Sequence, residues 1–335
     1  MLAEVTTDQA RAIVAAMRHV ATVDGTRPLT DVERVAVTSA WHYLLRQTGD
    51  VSLDALPDVD PSALGDALAD DALAHHALQF LAVVALVDGK IDDDELRVVL
   101  QYADALGIDA DYLRDLAATA KGKLQAALAD MTRQNLLSIT GREWNLDDAT
   151  GWLLPYRDAP DPSLHVRYDA LRDEAEGTIG RAFWDWYHGH GFALPGEPDA
   201  LNESFATPHD STHVLSGYST TPQGELLVST FTAGMHPHEP MSGHILPVIY
   251  SWHLGIEINE VAGSFRGALD PEKFWVAWDR GAQLTADTFD PGWDLFTVAS
   301  RPLDDLRAEY HVPPLDKRFA ASSDGTEGVD YHPIA

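Results

Sequence analysis

The chain has 335 residues, an apolar content ordinary for a globular protein and no cysteine. There is material for more than one core, but no disulfide, thiolate ligand or cysteine nucleophile. Its 53 acidic residues against 23 basic ones leave a formal charge of −30, which repels phosphate backbones and anionic membranes and argues against nucleic acid as a partner.

The opening stretch, "MLAEVTTDQARAIVAAMRHV", has an acid at Glu4 and no basic run ahead of its apolar residues, so it reads as the approach to a helix rather than a signal peptide. No apolar run approaches the roughly 18–20 residues that span a bilayer; "ALQFLAVVALV" from Ala77 and "ILPVIYSW" from Ile245 have the length of core elements. The expected location is cytoplasmic, with at most peripheral contact to the inner membrane surface. Residues 1–135 are rich in Ala, Leu and Asp at helical spacing, 136–164 carry turn signals and read as a linker, and 165–335 hold the clustered histidines. The expectation is an all-α protein of two helical domains.

Within the first domain, "ATVDGTRPLTDVERVAV" from Ala21 and "ALVDGKIDDDELRVVL" from Ala85 echo one another. Each reads as helix, turn, helix, with glycine ending the first helix and Thr30 or Asp92 capping the second, Glu33 or Glu95 completing a capping box. Asp88, Asp92, Asp93, Asp94 and Glu95 also crowd carboxylates as a cation loop does, although the spacing is shorter than that of an EF-hand. The repeated "DG…E" arrangement over about residues 8–125 resembles the tellurite-resistance-B-like helical domain family. That resemblance implies a helical module with acidic, metal-associated loops and names no reaction.

In the second domain, "TPHDSTHVLSGYSTTPQGE" reads as a helix hairpin. Thr207 and Pro208 look like the cap and first residue of one helix, Gly217 its end, and Thr221 and Pro222 the start of the next. His209 and His213 then share a face one turn apart, with Asp210 beside the first and Glu225 one turn into the second helix. Two imidazoles and two carboxylates suit a divalent ion, zinc first, with iron or manganese also able to use the set. A capped hairpin with a polar face accounts for the same residues, and the spacing does not separate the two.

"HDSTHVLSGYSTTPQGE" also fits the His-Asp-x-x-His pattern, with eleven residues before a Glu, that marks the Coq-four family of ubiquinone (coenzyme Q) biosynthesis proteins. "EGTIGRAFWDWY" from Glu176 and "WDRGAQLTADTFDPGWDLFTVASRPLDDLRAEY" from Trp278 extend the resemblance over about residues 165–315. It departs from the family at His236, His238 and Glu239, in a stretch usually more apolar, and in the long acidic N-terminal part. The resemblance implies metal ligands at His209, Asp210, His213 and Glu225, with Asp210 and Glu225 also the catalytic candidates. It further implies an apolar pocket for a polyprenyl or quinone-like lipid, and other quinone biosynthesis proteins as partners. The attached roles are oxidative decarboxylation at the first ring carbon of a prenylated hydroxybenzoate, or non-catalytic organisation of the biosynthetic assembly.

The large apolar side chains of "ILPVIYSWHLGI" and "FWVAW" suit such a pocket, with His244, Tyr250 and His253 as its polar members and Arg266 or Arg280 available to a substrate carboxylate. Equally, these stripes read as core and the arginines as ion pairs. No Gly-x-Gly-x-x-Gly follows a strand-like run, so a redox step is expected to use the metal and dioxygen. One rival reading is a His-Asp metal-dependent phosphohydrolase, with His188 or His190 and Asp287 as extra ligands and Glu225 idle.

Overall fold

Apolar residues recur at helical spacing from Thr7 to Ala21, and there the chain forms α1 (Thr7–Ala21), opened by a capping box between Thr6 and Gln9. The computed structural model describes residues 5–68, 70–145, 149–258 and 263–322. It continues with α2 (Asp31–Ser39), α3 (Pro61–Ala67), α4 (Asp71–Val84), α5 (Asp93–Leu106), α6 (Asp111–Ala120) and α7 (Leu124–Thr140). Next come α8 (Ala149–Leu153), α9 (Pro162–Asp169), α10 (Ile179–His190), α11 (Glu203–Ser216) and α12 (Pro222–Met235). A helical segment with π turns at Pro240–Ile245 and Ile249–His253 encloses α13 (Leu246–Val248), and α14 (Pro271–Ala282), α15 (Leu295–Val298) and α16 (Leu303–Glu309) complete the order. The fold is all-α. Among the described residues there is no strand, only isolated bridges between Thr178 and Pro302 and between Leu254 and Arg266. None of the described helices is long and apolar enough to cross a membrane.

The two echoing segments are helix-turn-helix units, and their capping differs. Thr30 and Glu33 form the reciprocal box, with the Thr30 N–H donating to Glu33 at 2.6 Å and the Glu33 N–H to Thr30 Oγ1 at 3.3 Å. Asp92 accepts from the N–H groups of Asp94 and Glu95, but Glu95 does not reach back. Its buried carboxylate pairs with Arg27 of the first unit, which also bonds Asp92 at 2.7 Å. Lys90 holds Asp88 at 2.6 Å. The acids that resemble a cation loop are thus spent on helix starts and on Arg27 and Lys90. Among the described residues they form no cluster fit for an ion.

One apolar core runs from α1, α2, α4 and α5 into α12, α13 and α14. Trp275 makes the join: its indole N–H donates to the Ala36 carbonyl at 2.9 Å, and Phe80 presents its edge to both Trp275 and Trp278. Helices α12 and α14 approach so closely that a Cβ at Gly281 would lie 1.9 Å from the Phe231 carbonyl oxygen, a spacing only glycine permits. The compositional boundary at 136–164 therefore does not divide this core. Residues 136–140 belong to α7, which packs on the segment Pro240–Ile245, and residues 146–148 of the expected linker lie outside those described. A second, smaller core is built by α9, α10, α11, α15 and α16 around Tyr168, Phe183, Tyr187, Leu295 and Leu306. The "GTIG" stretch seats α10 there: Thr178 caps it, and Gly180 lets the chain touch Ala299, donating its N–H to that carbonyl at 2.9 Å.

Candidate metal centre and cavity

The hairpin forms, with one correction at its start. Helix α11 begins at Glu203 with Asn202 as cap, accepting from the Ser204 N–H at 2.9 Å, so Thr207 is no cap and Pro208 lies inside the helix. Gly217 ends the helix in the left-handed conformation, and Thr221 caps α12 with Pro222 at its first position, as the sequence predicts. Arg307 donates to the carbonyls of Val214 and Leu215, and Arg280 to that of Ser216. These two arginines fix the C-terminal end of α11, where unpaired carbonyls favour cations.

His209, Asp210 and His213 each offer a ligand atom, all within 4.8 Å of one another. Glu225 closes the group, with Oε2 at 3.3 Å from His209 Nε2 and Oε1 at 3.5 Å from His213 Nε2. His213 is oriented from behind: Nδ1 donates to the Tyr218 carbonyl at 3.0 Å, which leaves Nε2 buried without a hydrogen bond and aimed at the group. That is how metal-ligating histidines are usually held. The ring also stacks on Trp186, and His209 stacks on Phe205. Tyr187 donates its hydroxyl to Asp210.

Within the group the carboxylates and imidazoles compensate one another. Burial alone would raise the Glu225 carboxyl, but His213 and His209 hold it well below the usual carboxylate range. Burial works against a charge on His213, and Glu225, with help from Asp210 and the Tyr218 carbonyl, pushes its pKa up. Burial raises the Asp210 carboxyl against the pull of His209, His213 and the Tyr187 hydroxyl, and the Tyr187 phenol is pushed far up by burial and by Asp210. A divalent ion would displace the proton that His213 tends to hold. The donor set, two imidazole nitrogens and two carboxylates with one nitrogen left unpaired, fits zinc.

His209, Asp210 and Glu225 lie on the wall of a cavity of about 380 Å³. Its other walls are mostly apolar, including Met131, Leu153, Leu154, Trp186, Val248 and Phe289. Of the expected pocket residues only His244 lines it. Tyr250 instead bonds Thr119 at 3.0 Å. His253 accepts from the Leu269 N–H at 3.2 Å and donates to the Val87 carbonyl at 3.0 Å, a structural tie between the turn after α4 and the later chain. Arg266 packs against Gly255 beside the bridge to Leu254. Nor does Arg280 reach the cavity, being buried over Tyr218 and Phe231. The extra ligands of the phosphohydrolase reading are not brought to the group either. His188 and His190 bond the carbonyls of Trp184 and Trp186 on α10, and Asp287 bonds His236 at 2.7 Å.

Sequence reasoning did not single out Tyr187, or the contribution of α7 through Met131, Thr132 and Asn135. Tyr187 ends the quoted "EGTIGRAFWDWY", one residue past a tryptophan pair; nothing local marks the α7 residues as cavity wall.

The fold and the site define an all-α protein with a candidate histidine–carboxylate metal centre on the wall of a largely apolar cavity. No family model matches the chain, and no curated protein matches it. Among solved structures it is similar to a "Putative ubiquinone biosynthesis protein" from Nostoc punctiforme, at 19% identity and a TM-score of 0.32 over 61% of this chain and 95% of that one.

Proposed function

We propose that this chain takes a polyprenyl phenol- or quinone-like lipid into the cavity, with its ring beside a divalent ion, zinc first, held by His209, Asp210, His213 and Glu225. The observation that carries this reading is that three of these four residues, His209, Asp210 and Glu225, line an otherwise largely apolar cavity, with His213 behind them. The reaction we attach to it is that of the Coq-four resemblance: the first ring carbon of a prenylated hydroxybenzoate loses its carboxylate as carbon dioxide and gains a hydroxyl whose oxygen comes from water, while dioxygen takes up the two electrons and leaves as hydrogen peroxide.

When bound, the ion supplies Lewis acidity toward a ring oxygen or carboxylate. The chain's own residues do the rest. Tyr218 orients His213, and Tyr187 fixes Asp210. Glu225 stays ionised within the group, and either carboxylate, Asp210 or Glu225, if displaced from the ion, can accept a proton. Among the described residues no lysine or arginine lines the cavity, whereas Asp199, Asp210 and Glu225 do. A substrate carboxylate therefore meets no side-chain cation, and its affinity depends on the ion.

Organic extraction of the purified protein followed by mass spectrometry tests the lipid. A prenylated ring compound is expected near one per chain; extracts matching those of a Trp186→Asp, Val248→Asp variant would sink the reading.

A further inference from the structure

Helix α7 lies outside the stretch that resembles the quinone-biosynthesis family, yet it touches the cavity and one of its polar groups. Ser138, in the last turn of α7, sits beside His244, with Oγ at 3.2 Å from Nε2. The serine has a single proton, and it is committed: Oγ donates to the His238 carbonyl at 2.8 Å. The hydroxyl can therefore only accept from the ring, so Nε2 carries the hydrogen and Nδ1 does not. Nδ1 has no hydrogen-bond partner among the described residues, and the ring lines the cavity with His209, Asp210 and Glu225. Gly243 makes the approach possible, since a Cβ there would lie 2.7 Å from the Ser138 Cβ, and Asn135 clamps the same turn by donating to the Gly243 carbonyl.

We infer that Ser138 is a positioning residue that fixes the tautomer of His244, and that His244 presents Nδ1 to the cavity as the acceptor for a hydroxyl on the bound ring. Burial, with His236 and His209 nearby, pushes the His244 imidazole down to about 3, so the lone pair is available at neutral pH. The ligand class is a phenol rather than its ether or a quinone. This rests on the proposed lipid reading and adds the atom that recognises the ring.

Two measurements test it on the full chain. In long-range 1H–15N spectra of the ligand-free protein, the His244 ring, assigned by its loss in His244→Phe, is expected as the neutral form with hydrogen on Nε2, and in Ser138→Ala as a mixture of tautomers. A ring with hydrogen on Nδ1, or a fixed tautomer in Ser138→Ala, overturns the assignment. Binding of a geranyl-substituted phenol and its O-methyl ether is then followed by quenching of tryptophan fluorescence. The wild type should prefer the phenol by about tenfold, the worth of one hydrogen bond, and His244→Phe should bind both alike. Equal binding of both by the wild type removes the acceptor role and leaves the lipid reading standing. Binding of neither overturns the lipid reading and the acceptor role together.

Discussion

Excising residues 150–335, the fragment that composition marks as carrying a separate domain, should yield a chain that does not fold by itself. The magnitude follows from what residues 1–149 cover. Trp275 loses Phe80 and its bond to Ala36, Trp278 loses the same phenylalanine, and Tyr250 loses Thr119. All three are at most 2% exposed in the intact chain. Uncovering a large apolar side chain costs about 2–3 kcal/mol, so these three alone forfeit roughly 6–9 kcal/mol of a typical total near 5–15 kcal/mol. Losing the α7 wall of the cavity adds to that. The assay is urea unfolding of the fragment and the intact chain, followed by near-ultraviolet circular dichroism and fluorescence. The expected fragment keeps helical signal but shows no cooperative transition, and regains one when mixed with residues 1–149. A cooperative transition of the fragment alone, at a urea midpoint near that of the intact chain, would refute the argument from the shared core.

Two further predictions concern charges away from the site. Arg27→Ala leaves the buried Glu95 carboxylate without its partner, and urea midpoints should report a loss of about 2–3 kcal/mol, below the figure for fully buried pairs because Arg27 is partly exposed; Arg27→Met with Glu95→Gln should recover most of it. Burial, with Asp130 beside it and Arg133 and Arg114 opposing, raises the Asp115 carboxyl to about 7. A raised acid binds its proton more tightly folded than unfolded, so its stabilising effect is complete below the unfolded value near 4 and is lost as the pH rises toward 7. Asp115→Asn should accordingly gain on the wild type from pH 4 to 7, by up to about 4 kcal/mol, with the gap level above pH 8; a pH-independent gap in thermal or urea unfolding would contradict the assignment.

Much of the site was legible because its signals are local. Gly217, Thr221 and Pro222 specify the hairpin turn through their own backbone preferences, and the spacing of His209, His213 and Glu225 then brings the three together. The start of α11 departs from the local signal for the same reason. Thr207-Pro208 has the chemistry of a helix start, but Asn202 caps the chain earlier, and a proline this near the beginning breaks only one bond of the ladder. Tyr250 and His253 read as pocket residues only because they are the polar members of a long apolar stretch. The chain there makes π turns, which carry more residues per turn and rotate those side chains away from the cavity. The contribution of α7 depends on residues about a hundred positions apart meeting at Gly243, which no local pattern encodes. Likewise the pairing of Phe80 with Trp275 and Trp278, which makes one core of two compositions, is a long-range fact.

The central claim is that His209, Asp210, His213 and Glu225 hold a divalent ion, and elemental analysis of the purified chain tests it most directly. Inductively coupled plasma mass spectrometry should find close to one zinc, or another divalent metal, per chain in the wild type and in His236→Ala, and a small fraction of that in His213→Ala and in Glu225→Ala. A wild-type chain that stays metal-free after exposure to zinc, or full occupancy in both ligand variants, would contradict the account.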